Sequence, residues 1–160
     1  MDVIKLLHNR LDDVDIALLR LVQGDGKITN AELARKVQLS PPSVLQRVRR
    51  LEESGLIKGY SADFDLKNIG YHLTVFVQVS LQLHQDQPIE QFRAAVAKVK
   101  EILECHHVSG EFDFLLKVVA VDMPHFEQLV REDLSTIPAV GKIHSCFVLS
   151  TSKAERSVPI

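Results

Sequence analysis

The chain has 160 residues, enough for one ordinary domain or two small ones. Hydrophobic residues make up 46% and charged residues 25%, the balance of a soluble protein with ample material for a packed core, and no run approaches about 20 uninterrupted apolar residues, which excludes a membrane-spanning helix. The formal net charge of −2 looks wrong for a nucleic-acid binder, but it is unevenly spread: residues 1–62 carry +2 and the remainder −4.

Met1 to His8 lacks a basic leader and a cleavage site, so it reads as a short amphipathic helix and not as a signal peptide. Residues 29–60 carry the strongest pattern in the chain. Asn30 stands where a helix N-cap belongs, and Leu33, Ala34 and Val37 give the helix after it a narrow apolar face. Gln38-Leu39 makes a turn. Ser40 is a second N-cap, followed by Pro41 and Pro42, which a first helical turn tolerates. A second helix then runs from about Pro41 to Ser54, with Val44, Val48 and Leu51 as its buried stripe.

Ser43, Gln46, Arg47 and Arg50 fall on the other side of that helix. Arginine grips guanine bidentately and glutamine grips adenine, so these types suit a surface that enters the major groove. Together with Ser40 at the helix start, they are the expected DNA-binding residues. Gly55 ends the helix, and Leu56 to Tyr60 begins an extended segment of the kind that forms a small wing. Two short helices, a tight turn and a basic second helix make a helix-turn-helix, with double-stranded DNA as the expected partner. Several acidic residues of the N-terminal region are expected in the first helix, away from the reading helix. A local basic face is enough, because phosphate contacts are short-range at cellular salt. The modest charge predicts modest affinity per monomer, hence binding as a dimer.

Near Asp63 to Gly70 the pattern changes from helical to strand-like. Residues 1–62 therefore form one domain, 63–70 a linker, 71–150 a second domain and 151–160 a tail. From Tyr71 to Leu83, apolar residues alternate at period two, the signature of a strand. Gln85 to Pro88 breaks it. Ile89 to Val99 reads as a helix with Ile89, Phe92, Val96 and Val99 inward. Strands follow at Ile102 to Val108 and Phe114 to Val121, a helix opening at Pro124 has Phe126, Leu129, Val130 and Leu134 inward, and Ile143 to Leu149 is a last strand. The order β-α-β-β-α-β is the ferredoxin-like arrangement, so the fold class is α+β. Its helices cover one face of the sheet, and a second copy of the same sheet is the natural cover for the other.

Ser109 to Asp113 joins two of these strands. Gly110 permits a backbone that exposes N–H groups able to cradle a carboxylate, and Asp113 is suited to hold an ammonium group. A plain hairpin turn explains the same residues, and the residues alone favour it. Cys105 and Cys146 form no disulfide framework and read as reduced, buried thiols. Cys105-His106-His107 with His144 and Cys146 invites a metal hypothesis, but neighbouring residues on a strand point to opposite faces, so no metal site or other cofactor is expected. No nucleophile elbow, phosphate loop or dinucleotide fingerprint is present, and the Glu52-Glu53 pair reads as solvated charge.

These motifs resemble the Lrp/AsnC family of leucine-responsive, or feast/famine, transcription regulators. The resemblance runs through Leu11-Asp12-Asp13-Val14-Asp15, Asp25-Gly26-Lys27, Glu32-Leu33-Ala34, Leu39-Ser40, Arg47 to Glu52 and Gly55-Leu56-Ile57. It returns at Val108 to Leu116 and at Ile137-Pro138-Ala139-Val140. It implies a winged helix-turn-helix half and a ferredoxin-like RAM half, assembled as a dimer and further as a tetramer or octamer. It also implies an amino-acid effector bound between dimers, with Gly110, Glu111, Phe112 and Asp113 in the pocket turn and Ser145 as a small hydroxyl on the last strand. The chain departs from the pattern at Ala139, where a glycine commonly follows the proline. The resemblance implies a non-enzymatic regulator in the cytoplasm of a bacterium or archaeon. Two other readings stay open on the residues: an enzyme or carrier built on the second half, and an architectural DNA-binding protein with no effector.

Overall fold

The structure, a computed structural model, describes residues 11–82, 87–154 and 157–160. The expected helix at Met1 to His8, the end of the first strand at Leu83 and the break at Gln85-Asp86 lie outside the described residues. The rest divides into two compact units. One holds the described residues up to Asp63 together with Ala154–Ile160, and the other is Phe64–Lys153. The segment set apart in the sequence as a linker thus groups from Phe64 onward with the second unit, and most of the tail groups with the first.

The described residues of the first unit form three helices: α1 (Asp13–Gly24), α2 (Asn30–Val37) and α3 (Pro41–Glu53). Each starts at a side-chain cap. Asp12 and Asp15 form a reciprocal capping box on α1, Thr29 and Glu32 form one on α2, and Ser40 caps α3. The cap of α2 is therefore Thr29, one residue before the Asn30 expected from sequence. Thr29 wins because Glu32 sits three residues on and returns a bond to the Thr29 N–H at 2.9 Å. Between α2 and α3, Gln38 adopts a left-handed conformation with φ 56°, and Leu39 N–H reaches back to the Ala34 carbonyl. The sharp turn follows from these two features.

Leu18, Leu33, Ala34, Val44, Val48 and Leu51 meet in one buried cluster. Each fully buried Leu or Val contributes about 1.5–3 kcal/mol, which is what holds short helices that are marginal alone. Gly55, at φ 76°, closes α3, and Ile57 N–H bonds the Leu51 carbonyl. Leu56 to Tyr60 is irregular with no strand pairing in the structure, so the expected wing is an extended loop. Arg20 Nε donates to the Ile160 carbonyl, and the Gln23 side chain exchanges two bonds with the Val158 backbone, which fastens the tail to α1.

The second unit is a four-stranded antiparallel sheet in the order β2-β3-β1-β4, with β1 Leu73–Leu81, β2 Ile102–His107, β3 Phe114–Ala120 and β4 Val140–Phe147. Helix α4 (Pro88–Val96) joins β1 to β2, and α5 (Met123–Leu129), continued by one wider turn over Val130–Leu134, joins β3 to β4. The β-α-β-β-α-β order is the one expected. Val75, Val77, Val79, Leu116 and Val118 point to the helix side and are buried with Phe92, Phe126, Leu129 and Leu134. Period-two alternation produces this directly: one register step would turn the whole set outward. Phe76, Gln78, Leu115, His144 and Cys146 occupy the other face by register, and Phe76 is exposed there.

Phe92 is fully buried against Phe114, with ring centroids 4.6 Å apart. Phe92→Ala should destabilise the second unit by about 3–5 kcal/mol through transfer and cavity terms. Urea unfolding followed by far-UV circular dichroism measures this. A loss below about 1 kcal/mol would show that the site collapses around the void.

Candidate nucleic-acid interface and ligand-binding turn

Helix α3 is the candidate reading element, and its geometry follows from 3.6 residues per turn. With Val44, Val48 and Leu51 inward, the arc opposite is Pro42, Gln46, Arg49 and Glu53, flanked by Ser43 and Arg50 on one side. Ser43, Gln46, Arg49 and Arg50 are exposed. The two glutamates, Glu52 and Glu53, lie at the far end, where they repel phosphate; Glu52 also accepts from the Tyr60 hydroxyl at 2.9 Å. The first two turns of α3 are therefore the end suited to a groove. Ser40 Oγ and Ser43 Oγ lie 2.8 Å apart at the helix start, where Pro41 and Pro42 have no N–H and the Ser43 N–H is turned to Ser40 Oγ. What remains for an anion there is one hydroxyl hydrogen of the pair and the helix dipole.

The arginines differ from the sequence expectation. Arg47 is only 28% exposed, and its Nη1 donates to Asp12 Oδ2 at 2.6 Å and to Asp15 Oδ1 at 2.8 Å. Arg50 Nη2 donates to Asp15 Oδ2 at 2.5 Å and keeps 60% of its side chain exposed. The first-helix acids do not stand away from the reading helix; two of them hold it. The cause is spatial: α1 packs across α3, so an i, i+3 pair on α3 meets the N-terminus of α1. Arg49 was not among the residues expected to bind DNA. It lies opposite the buried stripe, and no ion pair engages it among the described residues. The signal was present in the spacing, since Arg49 is five residues from Val44 and one from Val48.

The expected effector residues separate into two places. Gly110 to Asp113 share one turn. Gly110 has φ 142°, Val108 N–H bonds the Asp113 carbonyl and Asp113 N–H bonds the Val79 carbonyl. The Asp113 carboxylate is already engaged: its Oδ2 accepts from Leu81 N–H at 2.7 Å. That N–H lies where the β1–β4 register slips between Ser80 and Leu81, so Asp113 satisfies a donor the irregular ladder leaves over. Ser145 pairs with Val77 on β4, on the far side of β1 from the turn. Two strand spacings, about 10 Å, separate it from β3, so one chain does not close these residues into a single pocket.

Ala139 is fully buried in the core of the second unit, and its carbonyl accepts from Gln82 N–H at 2.8 Å. Its φ is not positive, so the methyl group introduces no backbone strain where the family pattern has glycine. Cys105 is exposed and Cys146 half-buried, contrary to the buried thiols expected; both lie on edge strands, where one flank of the side chain stays open. His106 Nε2 contacts Glu104 at 3.2 Å, His107 stacks on Phe114 and His144 Nδ1 lies 3.6 Å from Cys146 Sγ. No group of three or more metal-ligating side chains converges among the described residues. No described helix is long and apolar enough to cross a membrane.

The Asp15 backbone N–H, with the Arg47 guanidinium after it, holds the Asp12 carboxyl below the usual carboxylate range. A carboxylate with a depressed folded-state pKa stabilises the fold above its unfolded value, and that contribution is lost as pH falls through the folded one. The first unit should therefore loosen on acidification below about pH 4. In Asp12→Asn this acid limb should be shallower, as followed by circular dichroism. An identical acid limb in the variant would remove Asp12 from the account.

Two family models together cover most of the chain. Residues 11–58 match a winged helix-turn-helix DNA-binding model, and residues 74–158 match the Lrp/AsnC ligand binding domain. The leucine-responsive regulatory protein of Escherichia coli K12 is 41% identical over 150 residues, spanning 94% of this chain and 92% of that protein. Among solved structures, a transcriptional regulator of Neisseria meningitidis in complex with L-Met superposes with a TM-score of 0.89 at 35% identity, covering 93% of this chain and 96% of that one. An AsnC family regulator from Agrobacterium tumefaciens gives 0.85 at 28% identity, covering 93% and 97%. Helix-turn-helix unit, ferredoxin-like unit and order agree along the chain, which belongs to the Lrp/AsnC family of DNA-binding transcription regulators.

Proposed function

We propose that this regulator reads operator DNA with the first two turns of α3 and responds to a free apolar amino acid held at the Gly110 to Asp113 turn. The observation that carries the DNA half is the exposed arc of Ser43, Gln46 and Arg49 opposite the buried stripe. Gln46 and Arg49 take base edges, and Ser40 and Ser43 take a phosphate at the helix start. Arg47 acts from behind this face and Arg50 from its edge, both as braces tied to α1. Arg49→Ala should weaken operator binding by about 1–3 kcal/mol if it grips a base. Fluorescence anisotropy on labelled duplexes reads this, and an unchanged operator affinity would remove Arg49 from the reading set.

The effector half is supported by the match to the ligand-binding domain and by the related structure that holds L-Met. The half-buried Phe112 and Val108 beside the turn favour an apolar side chain. Because Ser145 lies across β1 from the turn, a second copy is needed to complete the pocket. The exposed Phe76 face of the sheet supplies the first contact between copies, and pairs of dimers then bring effector turns together. Ligand binding would shift the balance between two assemblies of different DNA affinity.

A thermal-shift screen against the twenty amino acids tests this reading. A ligand that binds only the folded state at about 100 times its dissociation constant adds about 2.7 kcal/mol. At least one apolar amino acid should raise the melting temperature. Asp113→Asn, which keeps an acceptor for Leu81 N–H but loses the charge, should abolish that rise while leaving the fold intact. Silence of the wild type at millimolar concentrations would favour an effector-independent, architectural DNA-binding protein.

A further inference from the structure

Asp15 is the one buried charged residue among those described, 1% exposed. Its two oxygens are divided between two arginines of the reading helix, Oδ1 to Arg47 at 2.8 Å and Oδ2 to Arg50 at 2.5 Å. Asp12 takes the remaining hydrogen of Arg47 Nη1 at 2.6 Å. Two carboxylates and two guanidiniums thus cancel within one cluster. Asp12 and Asp15 are in turn fixed by their own capping box, Asp15 N–H donating to Asp12 Oδ1 at 2.8 Å. The cluster is too well ordered to be decoration, and half of its cationic charge stands at the edge of the DNA face, because Arg50 remains 60% exposed.

We propose that Asp15 is a specificity-determining residue that withholds the charge of Arg47 and Arg50 from DNA phosphates while it positions α3. This deepens the reading above and rests on α3 being the DNA-contacting helix. Non-specific affinity is set by the number of phosphates a protein neutralises, and it rises for every sequence alike. Specificity is the difference between operator and non-operator binding, so cations kept off the backbone lower the competing term without touching base contacts. Helix α3 carries three cationic side chains, Arg47, Arg49 and Arg50. Engaging two of them leaves Arg49 on the exposed arc as the arginine aimed at the groove. A buried carboxylate is suited to this because water and salt do not screen it as they do a surface pair.

The test uses the full chain and two duplexes, an operator selected with the wild type from a random-sequence pool and an unrelated sequence. Each is titrated from about 50 to 200 mM salt, a range over which phosphate contacts change affinity steeply. In Asp15→Asn, affinity for the unrelated duplex should rise about tenfold at about 0.1 M salt, with the slope of log K on log salt steeper by about one to two. Operator affinity should rise less, so the ratio falls. Adding Arg50→Gln to Asp15→Asn should return the slope by about one. A purely structural brace gives the opposite: both affinities fall together and the slope stays or flattens, which would overturn the proposal. If Asp15→Asn does not fold, as its melting curve would show, Asp12→Asn replaces it. That carboxylate is 51% exposed, and its loss frees one hydrogen of Arg47 for a smaller shift in the same direction; no shift would overturn the proposal. A wild type that does not discriminate the two duplexes would instead sink the assignment of α3 as the reading helix, independently of the clamp.

Discussion

In the DNA-binding unit, α3 is joined to α1 around one buried carboxylate, Asp15. Taking Asp15 out of water costs several kcal/mol unless cations and hydrogen bonds replace its hydration. The replacement comes from Arg47 and Arg50, so α3 has to meet α1 at one angle and one register for the unit to fold. The hydrophobic cluster of Leu18, Val44, Val48 and Leu51 is non-directional and would tolerate some sliding of one helix on another. The ion cluster does not tolerate it, because bond lengths near 2.5–2.8 Å leave no slack. Apolar burial supplies the stability of the helix trio, and the carboxylate supplies its geometry.

That constraint also orders the surface. Once Val44, Val48 and Leu51 are inward and Arg47 is pulled towards Asp12 and Asp15, the arc of Pro42, Gln46 and Arg49 has one direction left to face. The acids Glu52 and Glu53 stand at the far end of α3, and the positive end of its dipole at the Ser40 cap. In the second unit a different carboxylate works on a smaller scale. Asp113 and the Ala139 carbonyl together take the two N–H groups at the end of β1, from Leu81 and Gln82, where the ladder to β4 slips.

Much of this was legible before any coordinates. The strict alternation of Leu73, Val75, Val77, Val79 and Leu81 could only be a one-sided strand, and all five lie on the helix side of the sheet, the three valines with no exposure. The Val44, Val48 and Leu51 spacing likewise gave the inward stripe of α3. The Thr29 cap was missed by one residue because Thr and Asn stand side by side and both are good caps; only the reciprocal bond from Glu32 separates them. The thiols were expected inside because their segments are apolar, but edge strands leave one flank open, and nothing in a local window says which strand is an edge.

Sequence by itself determined the βαββαβ order, the helix-turn-helix and its inward face, since these depend on periodicity, caps and turn residues that act over a few positions. Tertiary structure decided which charges are free. Arg47, Arg49 and Arg50 look alike in a linear reading, and Asp12 and Asp15 look remote from them by more than thirty residues. Only the packing of α1 against α3 sorts them into two engaged arginines and one left exposed. The same holds for the effector residues, where β1 stands between the Asp113 turn and Ser145. Hydrophobic pattern is a local quantity and survives in one dimension; the pairing of charges depends on distance through space, which the chain alone does not record.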